Sequence, residues 1–100
     1  MIFHLVDEES WVRAVARGEY APPPLQSEGF IHLSTQAQVA GTAERFFAGR
    51  TDMLVLHVDE AKLTARLKYE PADGQQFPHH YGPLPLVAVT KVQALKDWEP

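Results

Sequence analysis

"MLVLHV", residues 53 to 58, decides the fold. Side chains alternate across a strand, so Met53, Val55 and His57 share one face and Leu54, Leu56 and Val58 share the other. Both faces are apolar apart from His57, the pattern of a strand flanked by neighbours and covered on both sides. His57 has no polar companion on its strand and reads as a structural histidine. The rest of the chain has to supply the neighbouring strands and the covering layers.

Upstream, Ile2 to Val6 predicts a first strand, and "DEES" at 7–10 supplies a capping side chain and first-turn carboxylates for a helix. Trp11, Val12, Val15 and Ala16 form that helix's apolar stripe, and Gly18 ends it. "GEYAPPPLQSEG" at 18–29 reads as loop, because consecutive prolines lack amide donors and hold the chain extended. Phe30 to Leu33 is the next strand. Ser34 or Thr35 can cap a second helix, whose Val39, Ala43, Phe46 and Phe47 recur at helical spacing until Gly49. Downstream, "DEAKL" at 59–63 suggests a short helical turn and Ala65 to Tyr69 a strand. "EPADGQQFPHHYGPLP" at 70–85, with four prolines and two glycines, reads as a long ordered loop. Leu86 to Val92 predicts the last strand. The order β-α-β-α-β-β-β, with two sizeable helices and no internal repeat, favours an α+β class over a doubly wound sheet.

Composition bounds the rest. One hundred residues, 45% of them hydrophobic, suit a single domain spanning 1–100, since a chain this size buries roughly two-thirds of its unfolded surface. Thirteen acidic against nine scattered basic side chains give a net charge of -4, which leaves no basic stripe for a nucleic-acid backbone. No cysteine is present, which excludes disulfides and thiolate chemistry and is compatible with a reducing interior. The N-terminus has no basic segment ahead of an apolar run, and no apolar stretch approaches the ~20 residues of a membrane helix. A cytoplasmic protein with no membrane association is expected.

Four histidines remain as candidates. In "EGFIHLST", residues 28 to 35, Phe30, His32 and Ser34 share one strand face. The helix that follows would direct unpaired amides and positive dipole toward the same end, a setting that suits an anion. His4 lies mid-strand, and His79 and His80 lie in the proline-rich segment. Histidine exchanges protons near neutral pH and hydrogen-bonds phosphate or ribose. Neither predicted helix contains a histidine, and the adjacent pair at 79 and 80 points apart in extended chain, so no metal site is expected. Ser34 lacks the G-x-S-x-G elbow of a nucleophilic serine. Tyr81 suits either stacking on a flat ligand ring or anchoring its loop to the core.

"IFHLV", "SEGFIHLST" with the following "FF", "LVLHVDEAKL", "LKYEP" and "FPHHYGPLPLVAV", in this order and spacing, resemble the bacterial domain of unknown function family 952 over nearly the whole chain. The resemblance implies an ADP-ribosyltransferase-like fold, a split mixed β-sheet with two main helices and an NAD-binding cleft. It puts His4 where NAD-using relatives hold a residue that orients a ribose, His32 and Ser34 at a second motif, and His79, Tyr81 and Gly82 at a third. His80 falls where the family pattern allows apolar residues and ranks below His79. Enzymes that break the N-glycosidic bond of NAD hold a glutamate near the ribose hydroxyls to stabilise the developing charge. Glu70 is the best substitute here and Glu28 the second, though neither sits in a motif for that glutamate.

The expectation is a protein that binds NAD or an ADP-ribose-like nucleotide in a histidine-lined cleft. Transfer or hydrolysis of the ribosyl group is its chemistry, with NAD as substrate and His32 and Glu70 catalytic. His4, His32, Ser34, His79, Tyr81 and Gly82 would bind the nucleotide. A nonenzymatic nucleotide sensor and an interaction module with structural histidines are the alternatives.

Overall fold

The computed structural model, which describes residues 1–99, places Met53–Val58 (β4) in the middle of a three-stranded sheet. Its neighbours are Ile2–Asp7 (β1) and Val89–Ala94 (β8), both antiparallel to it. One face of this sheet buries Ile2, Val6, Leu56 and Val58 in a core shared with Ala14, Tyr20, Ile31, Leu33 and Leu84. The other buries Phe3, Leu5, Met53 and Val55 against Val39–Phe47 (α3), through Val39, Ala43 and Phe47. The apolar pattern of β4 thus reflects two separate cores, one on each side.

Glu8–Arg17 (α1) starts where Asp7 accepts the Ser10 amide at 2.9 Å and ends at Gly18, whose φ of 86° is costly for a residue with a Cβ. Its buried side keeps only Trp11 of the predicted stripe. Ala14 is buried and Trp11 packs beside it, while Val12 and Val15 are exposed. The segment after Glu19–Tyr20 (β2) departs further from expectation, because Pro23–Glu28 forms a short helix (α2) where loop was predicted. Proline at a helix start gives up an amide that has no intrahelical partner anyway, so the proline run permits this turn.

The predicted strand at Phe30 to Leu33 is reduced to Ile31–His32 (β3), which pairs with Gln75–His80 (β6). Leu33 donates its amide to the Pro78 carbonyl at 2.9 Å, but Pro78 has no amide to return. The ladder stops there. Ser34 instead exchanges two backbone bonds with Phe3, at 2.7 and 2.8 Å, which stitches this sheet to β1.

The long loop predicted at 70–85 is a correction. Leu67–Ala72 (β5) and β6 form an antiparallel hairpin turned by Asp73 and Gly74, with φ of 51° and 76°. Positive φ at both central residues is the geometry of a tight two-residue hairpin turn, for which Asp-Gly is a preferred sequence. Leu84–Pro85 (β7) pairs with β2, and residues predicted to open the last strand form a 3-10 turn, Leu86–Ala88, before β8 begins. The sheet expected to be mixed is antiparallel at every described pairing and divided into three sheets. The chain is a small single-domain α+β protein, and no helix among the described residues is long and apolar enough to cross a membrane.

Candidate functional site

Register decides which histidines meet. His32 lies opposite His79 across β3 and β6, and Lys68 lies opposite His79 across β6 and β5. Directly paired residues of an antiparallel sheet project to the same side, and with the alternation of each strand this puts His32, Phe77, His79, Lys68 and Glu70 on one face. The opposite face carries Ile31, Pro78 and His80 into the core. A one-residue slip would have exchanged His79 for His80.

The first face borders a cleft of about 640 Å³. Phe30, Phe46, Phe47 and Phe77 form much of its wall, with Pro22, Pro24 and Met53. His4, His32, Ser34 and His79 also line it, so four of the sequence-predicted residues share one cavity. Glu70, Tyr81 and Gly82 are not among the lining residues. A second cavity of about 560 Å³ lies on the far side of Tyr20, between α1 and the proline segment, and contains none of the predicted site residues.

His79 is the centre of the arrangement. It is 6% exposed, stacks on Phe30 with ring centroids 4.1 Å apart, and meets the edge of His32 at 5.2 Å. Its Nδ1 donates to Glu70 Oε1 at 2.9 Å, and the Tyr81 hydroxyl donates to the same oxygen. These hydrogen bonds, from Tyr81 first and His79 second, hold the Glu70 carboxyl below its usual range, and the same contact raises the Tyr81 phenol. In the tautomer whose proton is on Nδ1, Nε2 presents a lone pair. That nitrogen has no hydrogen-bond partner among the described residues.

The other histidines are held differently. His4 donates from Nδ1 to the His32 carbonyl at 2.6 Å and accepts at Nε2 from the Tyr20 hydroxyl at 2.7 Å. Burial lowers its pKa to about 4, so the ring is neutral, and burial likewise raises the Tyr20 phenol. His32 is exposed and its Nε2 faces Glu28 at 3.1 Å. His80 is fully buried, with Nδ1 donating to the Gly82 carbonyl and Nε2 accepting from the Ala65 amide; burial lowers its pKa. His57 packs against Phe3 and Trp98 on the α3 side of the central sheet and bonds Gln93.

The remaining predicted residues have plain structural partners. Ser34 bonds Thr42 at 3.3 Å and does not cap a helix; Thr35 does, in a reciprocal box with Gln38. Gly82 sits where a Cβ would come within 2.7 Å of the Ala65 Cβ, so close backbone approach accounts for this glycine. Glu70 reaches the cleft only through His79. Two features were beyond sequence reasoning: the Tyr20 hydroxyl on His4, which no local pattern announces, and Phe30 stacked on His79. Phe30 was visible as the face-mate of His32, but its partner lies 49 residues along the chain.

The site is an aromatic cleft in an antiparallel α+β domain, with a carboxylate-oriented histidine on its wall. Residues 5–92 match the family described as Protein of unknown function (DUF952), and the chain belongs to that family. It is similar to protein CC0527 from Caulobacter crescentus. With the crystal structure of that protein it shares 33% identity and a TM-score of 0.85, over 93% of this chain and 83% of that one. With the solution NMR structure the TM-score is 0.81 at 33% identity, over 94% and 83%. Comparison with curated proteins gives no match.

Proposed function

We propose that this chain is a cytoplasmic protein of the ADP-ribosyltransferase-like superfamily that binds NAD or an ADP-ribose-like nucleotide in the cleft between β3, β6 and α3. The observation that carries the reading is the Nε2 of His79, which has no protein partner and belongs to a ring only 6% exposed on the wall of an aromatic cavity. A ring nitrogen with no protein partner, held in place beside a cavity, is open to a ligand atom. The volume lies within the usual range for ligand sites, and the phenylalanine walls suit the flat ring of a base. His4 contributes through Tyr20 and the His32 backbone, because both of its nitrogens are already engaged.

Hydrolysis or transfer of the ribosyl group is the second reading, and the pairing of His79 with Glu70 favours it. A carboxylate-oriented imidazole can take the proton of an attacking hydroxyl at Nε2. The hydroxyl oxygen then bonds to the anomeric carbon, and the bond to the base breaks with its electron pair leaving on the base. Glu70 in this scheme positions His79 and does not touch the ribose.

Thermal unfolding in the presence of NAD and ADP-ribose tests the binding reading. Ligand at a hundred times its dissociation constant adds about 2.7 kcal/mol, a shift of roughly 10 to 20 °C for a domain of this size. Unchanged melting with both at millimolar concentration refutes it. Release of free nicotinamide from NAD, abolished by His79→Phe, is the result expected from the second reading.

A further inference from the structure

A nucleotide of this class carries sugar hydroxyls and phosphates, and the charges around the cleft discriminate between them. Three permanently ionised side chains line it: Asp7, Arg50 and Asp73. Asp7 accepts the amide and hydroxyl of Ser10 at 2.9 and 2.7 Å. Arg50 gives Nε and one terminal nitrogen to the two oxygens of Asp52, at 2.8 and 2.7 Å. Asp73 holds Arg45 at 2.7 Å. No guanidinium or ammonium on the lining is left for a phosphate, and two carboxylates stand against one. His32, the exposed imidazole, already faces Glu28.

The unspent polar groups are neutral. His79 Nε2 is an acceptor without a donor, and the hydroxyls of Ser34 and Thr42 share one long 3.3 Å bond. Ser34 is buried and lies two residues from His32 on the cleft side of the chain. An acceptor and two hydroxyls along one wall, with aromatic rings beside them, match a ribose joined to a flat base.

Resting on the nucleotide-binding reading, we infer that the His79 wall of the cleft is a sugar subsite. There His79 Nε2 accepts a ribose hydroxyl, while any diphosphate stays outside in water. Glu70 is a positioning residue: by accepting from Nδ1 it keeps the lone pair on the nitrogen that faces the cleft. Tyr81 holds Glu70 in turn. Affinity therefore comes from the nucleoside half of the ligand.

Calorimetric titration with adenosine, 2′,3′-dideoxyadenosine, ADP-ribose and inorganic pyrophosphate tests this. Adenosine should bind within about threefold of ADP-ribose, with little dependence on salt, and pyrophosphate should not bind. The dideoxynucleoside should bind about tenfold more weakly than adenosine, the cost of one buried hydrogen bond left unmade. His79→Phe, which keeps a ring against Phe30, should bind both nucleosides and lose that tenfold preference. Should this variant not fold, nitrogen NMR of the wild-type imidazole decides: the Nε2 signal of His79 should move with adenosine and not with the dideoxynucleoside. ADP-ribose binding more than tenfold tighter than adenosine, or a hydroxyl preference that persists in His79→Phe, overturns the subsite and leaves nucleotide binding intact. Failure of all four compounds to bind overturns both.

Discussion

His4 should make this protein sensitive to mild acid, over a range in which most carboxylates are still ionised. Its ring is neutral in the fold because burial holds the pKa near 4, against 6.5 for a free histidine. A depressed folded pKa means that the unfolded chain binds the extra proton first. Stability is complete above pH 6.5 and falls with pH until the folded ring also protonates near 4. Between pH 7 and pH 5 the loss from this one group is about 2 kcal/mol, from the two pKa values at 1.36 kcal/mol per unit. Urea unfolding at pH 7, 6 and 5 measures it, with His4→Gln as comparison. His80 has its pKa lowered in the same direction, so the wild type should decline by somewhat more than His4 alone contributes. The variant starts lower at pH 7, because the Tyr20 hydroxyl loses the His4 nitrogen as its acceptor, but its decline to pH 5 should be shallower by about 2 kcal/mol. Parallel declines in the two proteins would refute the assignment of a buried neutral ring to His4.

Two further outcomes follow from particular contacts. Gly82→Ala should destabilise the fold by about 1 to 3 kcal/mol, because the new Cβ meets the Ala65 Cβ at 2.7 Å and neither atom can swing aside; an unchanged denaturant midpoint would contradict the close approach. His32→Ala should change stability by less than about 1 kcal/mol, since His32 and Glu28 are half exposed and water replaces each for the other; a larger loss would place His32 in the packing of the fold.

The central strand was legible because two apolar faces need two covering layers, and both cores are there on either side of β4. The hairpin at 67–80 was masked by its prolines. Pro71 lies on β5, an edge strand, and Pro78 lies where β3 leaves its partner. A proline disrupts a sheet only where its missing amide is required, and that depends on neighbours that a linear reading does not supply. The Asp73-Gly74 pair is the local signal that survives. The exposed Val12 and Val15 teach the same lesson for α1: helical spacing picked out Trp11 but not the side of it that is covered, where Ala14 is buried.

The histidines show where the candidate site stopped being legible. By residue type and strand position His79 and His80 are nearly equivalent, and only the register of β6 against β3 and β5 sends one to the cleft and the other to the core. Burial does not separate them, because both are buried. Hydrogen-bond accounting does. His80 spends both nitrogens on backbone groups, His4 spends both on Tyr20 and a carbonyl, and His57 lies on the α3 side with Gln93. His32 faces water. His79 alone is a buried ring on the cleft wall with one nitrogen fixed by a carboxylate and the other without a protein partner. The candidate that "EGFIHLST" offers therefore moves one strand over: His32 marks the face, and His79, paired opposite it, carries the ring nitrogen without a protein partner.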